Sequence, residues 1–156
     1  ISYTDGMKKH KLVSFDQKFI ALLNRYYVPA ARIALFIVFF WFGILKVLGL
    51  SPAGPLAEAL TARTVGMQYF DPLFMALSVI ECLIGILFLI PKTTRIVIPL
   101  LLVHMAVVCS PLALTPDLVW QQSFVPSLEG QYIIKNIAIV ALALGIAAST
   151  KPLRSK

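Results

Sequence analysis

Four apolar runs, each long enough to cross a bilayer, constrain this chain more than any other feature. They extend from about Arg32 to Leu50, Pro72 to Ile90, Arg95 to Leu114 and Gln131 to Ser149. A spanning helix needs roughly 20 mostly apolar residues, and each run reaches that length. The runs are continuous and do not alternate with period two, which argues against a membrane β-barrel. Composition closes the other routes. Of 156 residues, 59% are hydrophobic and 13% charged, against about 25% charged and 45–50% apolar in an ordinary soluble domain. Disorder needs the opposite balance, low hydrophobicity with high charge. Two cysteines cannot supply a disulfide scaffold. The expected fold is therefore all-α and integral to the membrane: a four-helix transmembrane bundle with an N-terminal amphipathic interfacial helix.

Turn chemistry divides the chain in the same way. Ser51-Pro52 is expected to close span one. Asp71 is expected to cap span two, with Pro72 at its first helical position, where a missing N–H costs nothing. Pro91-Lys92-Thr93-Thr94 reads as a tight hairpin, making spans two and three antiparallel neighbours. Pro99 and Pro111 fall inside span three and predict local kinks. Before span one, Leu12, Phe15, Phe19, Leu22, Leu23 and Tyr26 recur at helical spacing, with Lys11, Asp16, Lys18 and Arg25 elsewhere on the wheel. Ser14 and Gln17 have capping-box spacing. This segment reads as an amphipathic helix lying in the interface, and not as a secretory signal, because no small-residue cleavage site follows the apolar run. The organisation is then a basic arm over 1–31, a bundle over 32–150 and a basic tail over 151–156.

The formal charge is +7, and its distribution carries the information. Lys8, Lys9, Lys11, Lys18, Arg25, Arg32, Lys92, Arg95, Lys151, Arg154 and Lys156 all fall on one side of the four spans. The other side has Arg63, among Glu58, Asp71, Asp117 and Glu129. Positive loops stay in the cytoplasm, so both termini are expected there. Basic residues placed beside apolar spans report topology, and no nucleic-acid partner is expected.

Inside the spans, four polar residues stand out: Lys46, Glu81, His104 and Lys135. A charge at a helix centre costs about 2.5–3.5 kcal/mol on insertion scales, so it usually faces the bundle and has a partner. At 1.5 Å per residue, Glu81 and His104 each lie roughly 14 Å from a span end, and Lys46 and Lys135 roughly 6 Å. Heptad faces place each beside small or aromatic residues. Arg32, Phe36, Phe39, Gly43 and Lys46 share one face; Phe74, Ser78, Glu81, Gly85 and Phe88 share another. Val97, Leu101, His104, Val108 and Pro111 make the third. The fourth holds Gln131, Lys135, Ala138, Leu142, Gly145 and Ser149. Gly43, Gly85, Ala141 and Gly145 are expected at close helix contacts. One reading is a ligand or proton-relay site around Glu81. The plainer one is a buried ion pair fixing helix register, with His104 an ordinary core histidine. Cys82 and Cys109 stand on different spans without a C-x-x-C, which leaves no paired thiol for disulfide exchange. No metal-ligand spacing occurs, and His10 lies in the arm, away from any bis-histidine haem geometry.

Gly43-x-x-Lys46 in span one and Glu81-x-x-x-Gly85 in span two resemble the DoxX-like membrane protein family. The run FFWFGILKVLGLSPAGPL is similar to the same group, and the stretch Leu128-Glu129-Gly130-Gln131-Tyr132-Ile133-Ile134-Lys135-Asn136 resembles its YkgB-type branch. The resemblance covers roughly residues 30 to 150. It implies a four-helix protein of the bacterial inner membrane. Some members of that family resemble the small membrane subunit of thiosulfate:quinone oxidoreductase, and others are linked to oxidative-stress responses as partners of redox enzymes. Taken with the converging polar residues, this leads to an expected role as a small integral subunit of a redox-linked membrane assembly. Its partners would be the lipid bilayer and other membrane or redox subunits. A quinone or lipid-like ligand would bind at Lys46, Glu81, His104 and Lys135. Any catalysis would be that of a quinone-linked oxidoreductase of which this chain is a part. Two alternatives stay open, a non-catalytic accessory or assembly subunit and a small transporter.

Overall fold

A computed structural model describes the backbone of residues 3–152 and the side chains of residues 12–152. Helix α1 runs over Tyr3–Val47, α2 over Gly54–Thr64, α3 over Phe70–Leu89, α4 over Thr94–Cys109 and α7 over Leu128–Ala148. Between α4 and α7 lie two single-turn helices, α5 (Pro111–Leu114) and α6 (Pro116–Val119), and a two-stranded antiparallel hairpin, β1 (Trp120–Gln122) and β2 (Val125–Pro126). Four segments are long and apolar enough to cross a membrane: Leu12–Val47, Met67–Leu89, Pro91–Leu114 and Leu128–Ala148. The chain is thus an all-α four-helix bundle of membrane-spanning type.

The amphipathic segment over 12–27 is helical, and it is continuous with the first span. Helix α1 has 45 residues, about 68 Å at 1.5 Å per residue and roughly twice a hydrocarbon core. Residues 25 to 32 contain no glycine, and Pro29 is the sole breaker there. It removes one helical hydrogen bond, frees the Arg25 carbonyl and leaves the path of the helix intact. Ser14 and Gln17 therefore lie inside the helix, and their capping-box spacing is unused. The bundle covers α1 only from about Val28 onward. Before that, Leu12, Phe15, Leu22 and Tyr26 stay exposed.

Local stops differ from two expectations. Helix α1 ends before Ser51-Pro52. Gly49 adopts φ +69°, Gly49 N–H donates to Lys46 O at 3.0 Å, and Leu50 N–H donates to Leu45 O at 2.8 Å. These are the paired bonds of a glycine-terminated helix. At α3 the N-cap is Tyr69 and not Asp71, because a 3-10 turn over Met67–Tyr69, entered through Gly66 at φ +98°, winds the backbone into helix two residues early. Asp71 sits in the first turn, where its charge still suits the helix dipole. The α3–α4 connection is the expected hairpin, a single 3-10 turn over Pro91–Thr93. Pro99 is carried inside α4, and Pro111 opens α5 after a break at Ser110.

Helix α1 packs chiefly on α3, α4 on α7, and α3 on α4. The shared core comprises Leu35 and Phe39 of α1, Ile84 and Phe88 of α3, Val97 and Leu101 of α4, and Ala143 and Ile146 of α7. The α1–α3 contact is close because of two glycines. A Cβ on Gly85 would lie 2.8 Å from the Phe40 backbone nitrogen, and one on Gly43 would lie 2.7 Å from Cys82 Sγ. Gly145 faces the Tyr27 hydroxyl instead of a helix backbone. Ala141 is exposed, and Ala143, at 1% exposure, is the buried alanine of α7.

At the end away from the termini, the connections pack on one another. Trp120 Nε1 donates to Leu112 O at 3.1 Å. Arg63 of α2 grips Asp117 of α6 with both guanidinium nitrogens. Hydrogen bonding from Arg63 holds the Asp117 carboxyl below its ordinary range, and the same bond raises Arg63. Because the folded value of Asp117 is depressed, the tie is at full strength above the ordinary carboxylate value of about 4 and is lost as pH falls below it. A carbon-13 titration of the Asp117 carboxyl is expected to show its midpoint rising toward the ordinary range in Arg63→Gln. An unchanged midpoint would show that the ion pair does not persist.

Candidate functional site

Three spans meet at one cluster of ionisable side chains. Lys46, in the last turn of α1, donates from Nζ to Glu81 Oε2 at 2.5 Å. His104 of α4 places Nε2 at 3.3 Å from Glu81 Oε1. The side chains of Lys46, Glu81 and His104 are 10%, 7% and 2% exposed. The convergence follows from helix phase. Ser78, Glu81, Gly85 and Phe88 all lie on the buried stripe of α3, and Leu101, His104 and Met105 on that of α4. The glycines set the depth: Gly43 lets α1 approach α3 until the Lys46 ammonium, one turn further on, meets the carboxylate.

Charge is balanced locally, as a buried ion pair requires. Hydrogen bonding is not. Neither ring nitrogen of His104 makes a hydrogen bond; the approach of Nε2 to Glu81 is close but misdirected for one. The ring is held instead by Phe39, whose centroid lies 5.9 Å away at 71°, an edge-to-face pair. Each buried polar group without a partner costs about 1–3 kcal/mol, so such groups are rare and call for an explanation. Ser78 is fully buried one turn from Glu81, and its hydroxyl is spent on the Phe74 carbonyl at 2.6 Å.

Lys135 is not brought into this cluster. Its residue is exposed on α7, with Nζ 5.2 Å from the centre of the Tyr132 ring. The heptad face drawn through Gln131, Lys135 and Ala138 is the outward one; the buried positions are Gly130, Ile133, Ala143 and Ile146. What sets this phase is Gly130, where a Cβ would collide with Val119 O, so only glycine lets α7 dock there. A lysine near a span end loses little by turning outward, since its stem can carry the ammonium to the interface. Asn136 is half-buried and, by helical spacing, shares the face of Ile133 and Ala143. The phase of α7 read from Gly130 and Ile133 would have found it.

Arg32 also proves more than a topology marker. It is 9% exposed, and it donates to Phe88 O at 3.0 Å and to Thr94 Oγ1 at 2.5 Å. It thereby ties α1 to the end of α3 and the start of α4. Cys82 and Cys109 are free and half-buried. Among the described residues, no group of three or more His, Cys, Asp or Glu side chains is placed to hold a metal ion.

Set against known protein families, curated proteins and solved structures, the chain gives no match.

Proposed function

We propose that this chain is a small integral subunit of a redox-linked membrane assembly, and that Glu81, Lys46 and His104 bind the polar head of a quinone or similar lipid-soluble ligand. The observation that carries the reading is His104, a buried imidazole with both nitrogens unspent beside a carboxylate. A charged or titratable group held inside a span marks a ligand or proton path by default. The donor set suits a ring with carbonyl or hydroxyl oxygens. His104 offers either a donor or an acceptor at Nε2, Lys46 offers a cation, and the edge-on Phe39 ring offers a flat apolar wall. When bound, a quinone would supply paired electron and proton transfer. The chain's part is to orient the oxygen at His104 Nε2, keep the Glu81 carboxylate 3.3 Å from that nitrogen as a nearby proton acceptor, and offset negative charge with Lys46. The redox setting rests on the family resemblance at Gly43-x-x-Lys46 and Glu81-x-x-x-Gly85. We further propose the bacterial inner membrane with both termini cytoplasmic, on the strength of the Lys and Arg excess at that end.

The test compares quinone extracted from wild type, Glu81→Gln and His104→Phe, each purified from native membranes. Losing one charge-assisted hydrogen bond is expected to lower bound quinone about tenfold or more in each variant. Equal quinone content in all three would remove the proposal.

A further inference from the structure

We infer that the end of the bundle carrying the termini holds a site for the phosphate group of an anionic phospholipid, anchored by Arg32. A cleft of about 490 Å³ opens there between α1, the end of α3 and the end of α7. Arg32, Ser149 and Thr150 line it on the polar side; Val28, Ile33 and Leu89 line it on the apolar side. The site is separate from the Glu81 cluster: Arg32 lies 14 residues before Lys46 on the same helix, about 21 Å along its axis.

Arg32 is a guanidinium without a carboxylate partner among the described residues. Of its five N–H groups, two are spent, on the Phe88 carbonyl and the Thr94 hydroxyl. Lys92 and Lys151 directly follow lining residues in the chain, Arg95 donates to Lys151 O at 2.7 Å, and no Asp or Glu occurs in residues 28–33, 89–95 or 149–152. Asp16, on the same helix, is 16 residues from Arg32, about 24 Å away along α1. The ends of α3 and α7 contribute carbonyls, which would repel an anion, and two of these are covered. Arg32 covers Phe88 O, and the Ser149 and Thr150 hydroxyls both donate to Ile146 O. What remains facing the cleft is net positive charge above an apolar wall, a shape suited to a phosphate diester with its acyl chain. Basic pockets between spanning helices bind anionic headgroups for this reason.

The experiment reconstitutes the full chain in nanodiscs of phosphatidylcholine containing a minor share of phosphatidylglycerol and counts the anionic lipid retained after detergent extraction. Each Lys or Arg near the surface is worth about 1 kcal/mol toward anionic lipid, so Arg32→Gln is expected to lower retention about fivefold. Because Arg32 also secures α3 to α4, Ser149→Phe, which fills the cleft and leaves Arg32 in place, is measured in parallel with the same expected loss. Retention at the wild-type level in Ser149→Phe overturns the site, whether or not Arg32→Gln folds. Millimolar inorganic phosphate forms a third arm. Failure to displace the lipid supports the headgroup as the ligand. Displacement supports the phosphate site but assigns it to a soluble phosphate and overturns the lipid as its ligand. A quinone content unaffected by Ser149→Phe keeps this result distinct from the fate of the Glu81 proposal.

Discussion

Replacing Lys46 with Met is expected to destabilise the bundle by about 3–5 kcal/mol, because it strands the Glu81 carboxylate without its cation. The pair spans α1 and α3 at 2.5 Å, with both side chains at or below 10% exposure. His104 also approaches Glu81, but that approach makes no hydrogen bond in the present geometry. Removing both charges behaves differently. In Lys46→Met/Glu81→Gln most of the lost stability should return, because a buried ion pair is nearly offset by the desolvation of its two ions. A double-mutant cycle, read from thermal unfolding in detergent, measures this. Additive losses in the double variant would show that the two side chains do not interact in the folded protein. The cycle also separates structure from function: a stable double variant with no bound quinone would mark the cluster as a binding site, whatever its part in folding.

The second large effect is expected at Gly85. Gly85→Leu places a branched side chain where a single Cβ would already lie 2.8 Å from the Phe40 backbone nitrogen and 3.2 Å from Phe36 O. Backbone cannot yield as a side-chain tip can, so α1 must move away from α3. Overpacking typically costs about 1–3 kcal/mol, and this seam is the principal helix contact of the bundle, so the loss is expected at or above the upper end. The displacement also withdraws Lys46 from Glu81, since the ion pair depends on the same approach. Cysteine cross-linking between α1 and α3 in a cysteine-substituted background should fall sharply in Gly85→Leu. Unchanged cross-linking and stability would mean that the helices are not held at this separation.

The residues that carry these effects were legible to different degrees. Glu81 and His104 could be read from the sequence because a charge in an apolar run has few places to go, and because the faces through Ser78 and Gly85 and through Leu101 are unambiguous stripes. Lys135 could not be placed from its own helix. Helix α7 is apolar nearly all round, so hydropathy offers no preferred face, and the phase is set by a steric contact between Gly130 and the Val119 carbonyl. The continuity of the amphipathic segment with span one was also illegible: a proline with no glycine nearby can be absorbed, and α1 absorbs Pro29.

The sequence by itself determined that this chain spans a membrane four times and where most of its connections fall. Backbone groups in hydrocarbon must be satisfied within their own helix, so length and apolarity alone dictate the element. Tertiary structure alone decided which polar residues meet. Lipid is as apolar as the helix faces, and hydrophobicity therefore gives no direction to their packing. Rotation and depth are left to close contacts at Gly43, Gly85 and Gly130 and to the hydrogen bonds of Arg32 and Lys46, which no single helix contains.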